Sequence, residues 1–185
     1  MAASDATPAG RHPVGRGAAA PLIVSLRLDE PSFTRLDALR REHFPPERNV
    51  IPAHLTLFHA LPGTQEDEVV ANLATACAGT APVPLRFSGL RGLGRGVAFN
   101  VDSPPLLRLR ALLAGAWHDW LTPQDRHVPK PHVTVQNKVD PSEARNLLGH
   151  LQAGFEPWDG LGEGLLLWRY RGGPWEAAGE FPFRG

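Results

Sequence analysis

A four-residue pattern of His, apolar, Thr, apolar occurs twice in the chain, as His54-Leu55-Thr56-Leu57 and as His132-Val133-Thr134-Val135. Each run reads as a strand. Successive side chains of a strand point to opposite faces, so His and Thr share one face while the apolar pair turns into a core. The likeness continues upstream. Arg48-Asn49-Val50-Ile51-Pro52-Ala53-His54 lies without gaps on Arg126-His127-Val128-Pro129-Lys130-Pro131-His132, keeping Arg, Val, His and Thr in step at a lag of 78 residues. A chain that repeats an imidazole-and-hydroxyl strand in this way is constrained to two related halves, with a two-lobed site whose lobes face one cleft.

The remaining pattern fills in those halves. Residues 1–20 lack apolar periodicity and read as a disordered tail, leaving residues 21–185 as one bilobal domain. A strand is expected at 22–28 and a helix at 31–44, with Phe33, Leu36, Leu39 and Phe44 on one face and Pro45-Pro46 as its stop. The first motif strand spans 54–59, and a helix capped by Thr64 runs to Ala78. Strands at 83–90 and 96–101 are joined through Gly92 and Gly94. Pro104-Pro105 opens a helix whose apolar face carries Leu106, Leu109, Leu112, Leu113, Ala116, Trp117 and Trp120. Loop 122–131 delivers the second motif strand, 132–138, and a helix at 141–151 follows, capped by Asp140 with Glu143 placed for a capping box. Strand-like runs at 155–158 and 164–171 and a strand or covering tail at 175–183 complete the chain. This order argues for an α+β fold with two small, mainly antiparallel sheets backed by helices.

Composition removes several rivals. Formal net charge is zero, so no global basic field marks long nucleic acid as the partner. The single cysteine, Cys77, permits neither an intrachain disulfide nor a thiolate metal cluster. Gly89, Gly92, Gly94 and Gly96 are not followed by a helix start, which argues against a phosphate-cradling glycine loop. Strict alternation puts His59 on the face opposite His54, and neither motif strand carries an acid on its His face, so a metal site is not expected. No apolar run has the length of a signal peptide core or a membrane span, and the expected location is the cytoplasm.

Two imidazoles with ordinary pKa values near 6.5 can divide near neutral pH, one neutral and one protonated. That division suits phosphoryl transfer without a metal. The neutral ring takes a proton from the attacking hydroxyl or water, and the imidazolium gives one to the leaving oxygen. The two threonine hydroxyls can donate to non-bridging phosphate oxygens. The alternative reading is a non-catalytic protein that holds a nucleotide or RNA end in the same cleft.

The paired motifs resemble those of the 2H phosphoesterase superfamily, in particular its bacterial 2′-5′ RNA ligase and 2′,3′-cyclic phosphodiesterase branch, over roughly residues 22–171. The resemblance implies pseudo-two-fold halves around a central cleft holding both motifs. It implies opening of 2′,3′-cyclic phosphates to 2′-phosphates, or reversible making of 2′-5′ linkages, on a nucleotide or RNA end. The motif residues carry over as His54 and His132, catalytic, and Thr56 and Thr134, phosphate-binding; in hydrolysis His132 is the base and His54 the acid. No cofactor and no membrane partner is implied, and the chain is expected to be a monomer.

Candidate substrate contacts flank the motifs. Alternation places Phe58 with His54 and Thr56, where it would stack a base or seal the cleft floor. Gln136 and Lys138 fall with His132 and Thr134, and Gln136 would bond phosphate or simply pair across strands. Arg48, Arg126 and Lys130, in the loops before the motif strands, would pair with phosphates or remain solvated. Tyr170 shares a strand face with Trp168, bordering the cleft or packed in the core.

Overall fold

A computed structural model describes residues 19–185. Nearly all of the expected tail, residues 1–18, lies outside the described residues. The order is β1 (Leu22–Leu28), α1 (Glu30–His43), β2 (Leu55–Leu61), α2 (Glu66–Ala78), β3 (Val83–Gly92), β4 (Val97–Asp102), α3 (Pro104–Ala116), α4 (Pro123–Arg126), β5 (His132–Gln136), α5 (Pro141–Ala153), β6 (Trp158–Arg169) and β7 (Glu176–Pro182). The fold is α+β, and every strand pairing is antiparallel.

The two expected sheets are joined into one by β6. Its first part, Trp158–Gly162, pairs with β3; its second, Gly162–Arg169, lies between β1 and β7. The halves are therefore β2-β1-β6-β7 and β5-β4-β3-β6, each with its motif strand at one end. The runs expected at 155–158 and 164–171 are parts of one strand, because glycines let three neighbours crowd its middle. A Cβ on Gly162 would meet Val83 Cγ2 at 2.7 Å, and one on Gly164 would meet the Phe181 carbonyl at 2.6 Å.

The helices cross between halves. α1, from the first half, packs on β5, and α4, from the second, packs on β2. β2 and β5 stand at opposite ends of the strand order yet lie against each other, so the sheet curls until the motif strands meet. The exposed edges of these two strands are closed by side chains. Arg40 of α1 donates to the Thr134 carbonyl at 2.8 Å, and Asp125 of α4 accepts the His59 and Ala60 amides at 3.0 and 3.2 Å.

That function changes the buried face of α1. The apolar reading of Phe33, Leu36 and Leu39 is only partly right: the helix buries Ser32, Leu36, Asp37 and Arg40, while Phe33 is exposed. Asp37 accepts the Ala53 amide at 2.8 Å, and Arg40 also donates to Asn49 Oδ1 and the Ile51 carbonyl. The helix thus holds the loop before His54 by polar contacts. In α3, likewise, Arg110 is buried and Leu112 exposed. Asp140 caps α5 through the Ser142 amide, whereas Glu143 accepts from Gln136 Nε2 at 3.2 Å rather than completing a capping box. Thr64 lies in a short 3₁₀ turn and makes no side-chain cap to α2. Among the described residues, no helix is long and apolar enough to cross a membrane.

Candidate active site

Cross-strand partners share a face, and the registers show which one each motif residue takes. Thr56 is opposite Ser25, which is opposite Leu166; His132 is opposite Asn100, and Thr134 opposite Ala98. Ser25 and Leu166 line a groove that also takes in His54, and Asn100 lines a second groove beside Lys130 and Pro131. A cleft of about 490 Å³ is lined by His54 of one motif and Thr134 of the other, with Arg40, Arg48, Asn137 and Tyr170. One residue of each motif, His54 and Thr134, therefore lines the same cleft.

Both imidazoles are held alike. His54 Nδ1 lies 2.7 Å from the Pro52 carbonyl, and His132 Nδ1 lies 2.9 Å from the Lys130 carbonyl. A carbonyl only accepts, so each Nδ1 carries a proton and each Nε2 is left for a ligand. The same contact, two residues back along the chain, recurs because both histidines stand at the start of a strand after a Pro-containing turn. Burial holds His54 down to about 4, and the charges of Arg40, His132 and His59 push the same way against the Pro52 bond. His132 is lowered as well, by burial and then by Arg91 and His59.

Alternation fails at the same place in both motif strands. From Thr56 to Phe58, β2 spends two residues while β1 advances one, Ser25 to Val24; from Thr134 to Gln136, β5 spends two while β4 advances one. Each is a bulge. Phe58 is consequently opposite Val24 on the core side, fully buried, edge-on to Trp117 at 4.9 Å. Gln136 is opposite buried Val97 and is itself 2% exposed. Phe58 therefore neither stacks a base nor floors the cleft, and Gln136 is turned away from any phosphate. The next residues turn away from the core: His59 in β2, and Asn137, which follows β5 and lines the cleft. His59 thus lies on the outward side that also carries Thr56, contrary to strict alternation. Lys138 lies beyond β5 with a positive φ of 66° and is not placed by strand phase.

Of the loop candidates, Arg48 and Tyr170 line the cleft, and Lys130 lines the groove beside His132. Arg126 donates to the Leu121 carbonyl at 3.1 Å and lines neither. The upstream match of Arg48 to Arg126 does not survive folding, because α4 occupies the second loop alone.

Two neighbours, Trp175 and Arg91, escaped the sequence reading, and Trp168 takes the first of its two expected places. Trp175, after the Gly172-Gly173-Pro174 turn, places its ring 4.7 Å from that of His54. Trp168 donates to Ser25 Oγ at 2.9 Å and lines the same groove, so it borders the site rather than filling the core. Arg91 donates to the Lys130 carbonyl that also holds His132. Arg40 was legible only as a helix residue. Among the described residues, no three His, Cys, Asp or Glu side chains converge as metal ligands.

Arg40 ties both motifs, since the carbonyls it satisfies belong to the loop before His54 and to Thr134. Burial lowers its guanidinium to about 10, so it remains charged at neutral pH. Arg40→Met leaves those carbonyls without a donor and is expected to cost about 2–4 kcal/mol. Thermal unfolding should show a Tm lower by roughly 5–15 °C; an unchanged Tm would refute the role.

The family model of the 2′-5′ RNA ligase superfamily matches residues 28–174. The chain belongs to this superfamily. Its activity is accordingly of the 2′-5′ RNA ligase or phosphoesterase type. Among solved structures, TT0787 of Thermus thermophilus superposes with a TM-score of 0.62 at 19% identity, covering 89% of this chain and 98% of its own. E. coli LigT complexed with NADP+ gives 0.61 at 20% identity, covering 91% and 100%. E. coli LigT complexed with 3′-AMP gives 0.60 at 17%, covering 90% and 99%. These likenesses establish a shared fold over nearly the whole chain. No curated protein matches the sequence.

Proposed function

We propose that the protein opens 2′,3′-cyclic phosphates of nucleotides or RNA ends to 2′-phosphates, and with a 5′ hydroxyl in place of water reversibly joins 2′-5′ linkages, through metal-independent acid–base catalysis by His54 and His132. The observation that carries this reading is the matched tautomer: two imidazoles with Nδ1 fixed to a carbonyl and Nε2 available, each two residues ahead of a threonine on the same face. In hydrolysis one Nε2 accepts the proton of the attacking water. The other, protonated, gives its proton to the leaving 3′ oxygen as its bond to phosphorus breaks. Thr56 and Thr134 donate to the two non-bridging oxygens. LigT, which shares the fold, has been seen with 3′-AMP, ATP and NADP+, in keeping with a nucleotide ligand here.

The resemblance assigns His132 as base and His54 as acid. The ligand-free electrostatics favour the reverse, because His54 is held down to about 4 and is the ring more readily left neutral. We take His54 as the base in hydrolysis and His132 as the acid.

The test is incubation of purified protein with 2′,3′-cyclic AMP in excess chelator, with products separated by chromatography. Accumulation of 2′-AMP is expected at an undiminished rate. Loss of turnover that a divalent cation restores would overturn the metal-independent mechanism. Binding of nucleotide with no turnover under any condition would establish the non-catalytic reading instead.

A further inference from the structure

Asp125 is 1% exposed, and an ionised carboxylate at such depth is costly unless its oxygens are satisfied. Here they are. Both accept from the His59 amide at 3.0 Å, one accepts from the Ala60 amide and from Thr122 Oγ1, and the other lies 2.9 Å from His59 Nδ1. These bonds outweigh burial and keep the carboxyl below its ordinary value. Arg110 of α3 donates to the carbonyl of the same residue and adds a favourable charge. Closing the edge of β2 needs only the two amides. The bond to the imidazole is additional, and it orients His59: Nδ1 donates to Asp125, and Nε2 points away from it on a side chain 45% exposed.

Phe58 and Leu61 both face the core, opposite Val24 and Leu22, and the three residues β2 spends between them put His59 in a second irregularity, on the outward side that also carries Thr56. The charge of His59 bears on both motif histidines, the only other imidazole among the described residues of which this holds. The chemistry already described leaves it unemployed. His54 and His132 serve the attacking and leaving oxygens, Thr56 and Thr134 the non-bridging pair. A further fixed donor has an anion of its own to meet. The corresponding position after β5, Asn137, is an amide, so the extra imidazole belongs to the β2 side alone.

We propose that His59, oriented by Asp125, is a third substrate-contacting histidine, donating from Nε2 to a second phosphate beside the reacting one. The preferred substrate is then a nucleotide carrying an adjoining phosphate or phosphodiester, such as an RNA end, over an isolated cyclic nucleotide. The inference rests on the reading of the cleft given above. The ionisable groups facing His59 are Asp125 and Arg110 on one side and His54 and His132 on the other.

Calorimetric titration with 2′-AMP and with adenosine 2′,5′-bisphosphate tests it without relying on turnover. The unaltered protein should bind the bisphosphate about tenfold more tightly, and His59→Asn should lose that preference while binding 2′-AMP within about threefold of the parent. His59→Asn keeps the backbone amide that Asp125 uses, and its melting curve shows whether the fold is intact. A purely structural His59 would leave the preference in place, and that result overturns the proposal. So does a parent protein that binds both nucleotides equally, even while it opens cyclic phosphates. Failure to bind either nucleotide, with no hydrolysis, is a different result and removes the functional reading together with this one.

Discussion

His54→Ala and His132→Ala are each expected to lower kcat/KM for a 2′,3′-cyclic nucleotide by about 10²–10⁴-fold, with the fold intact. Both rings are only partly covered and neither belongs to the apolar core, so truncation removes chemistry and little packing. The pH dependence separates their roles. In free protein His54 is held down to about 4 and His132 below its usual 6.5, so kcat/KM should be bell-shaped with its optimum on the acid side of neutrality. Bound phosphate favours both imidazolium forms, and the kcat profile should therefore lie at higher pH than that of kcat/KM. A bell belongs to the pair and does not assign its members. The single variants do. The residual activity of His54→Ala should fall as pH rises, since the remaining His132 acts as an acid; that of His132→Ala should rise with pH through about 4. The opposite limbs would restore the assignment implied by family resemblance, and parental rates in both variants would end the two-histidine mechanism. Stability carries the same sign. A folded His54 that resists protonation makes the unfolded chain bind more protons between about 6.5 and 4, so stability present at neutral pH is lost as pH falls through that window.

The doubled motif was legible because strand period and sequence lag are local properties, and each histidine's tie to the carbonyl two residues back is local as well. The positions of His54, Thr56, His132 and Thr134 follow from them. What the sequence hid lies in contacts between distant segments. Arg40 reads as a solvated helix residue until α1 crosses to β5; Asp125 reads as a loop acid until α4 meets β2. Trp175 follows a visible turn, but nothing local aims its ring at His54. β6 was split by its glycines in the sequence pattern, since glycine weakens strand propensity, whereas the fold needs them where three strands crowd together. Alternation fails at Leu57–Phe58 and at its counterpart Val135–Gln136, and in β2 it fails again between Phe58 and Leu61. A bulge is a property of the pairing, and the residues that follow each His-x-Thr-x run read equally well as the end of a regular strand.

Phe58 is where that failure has its largest measurable consequence. In the cleft, its loss would weaken nucleotide binding and leave stability nearly unchanged. In the core, it fills space against Trp117 at 4.9 Å and beneath the Arg110 guanidinium at 4.6 Å. Phe58→Ala would open a cavity there and strip the aromatic face from Arg110, whose Nε is buried with no hydrogen-bond partner. The expected cost is about 3–5 kcal/mol, a Tm lower by roughly 6–20 °C. Arg110 bonds to Asp125, so the damage should spread to the β2 edge and to His59, on which the carboxylate depends. Phe58→Leu keeps most of the volume and should recover more than half of the lost stability. Denaturant unfolding of both variants, alongside their affinity for 2′-AMP, decides between the placements. A Phe58→Ala protein that melts with the parent but binds nucleotide poorly would return the ring to the cleft, and with it the unbroken alternation that puts His59 on the far side of the strand.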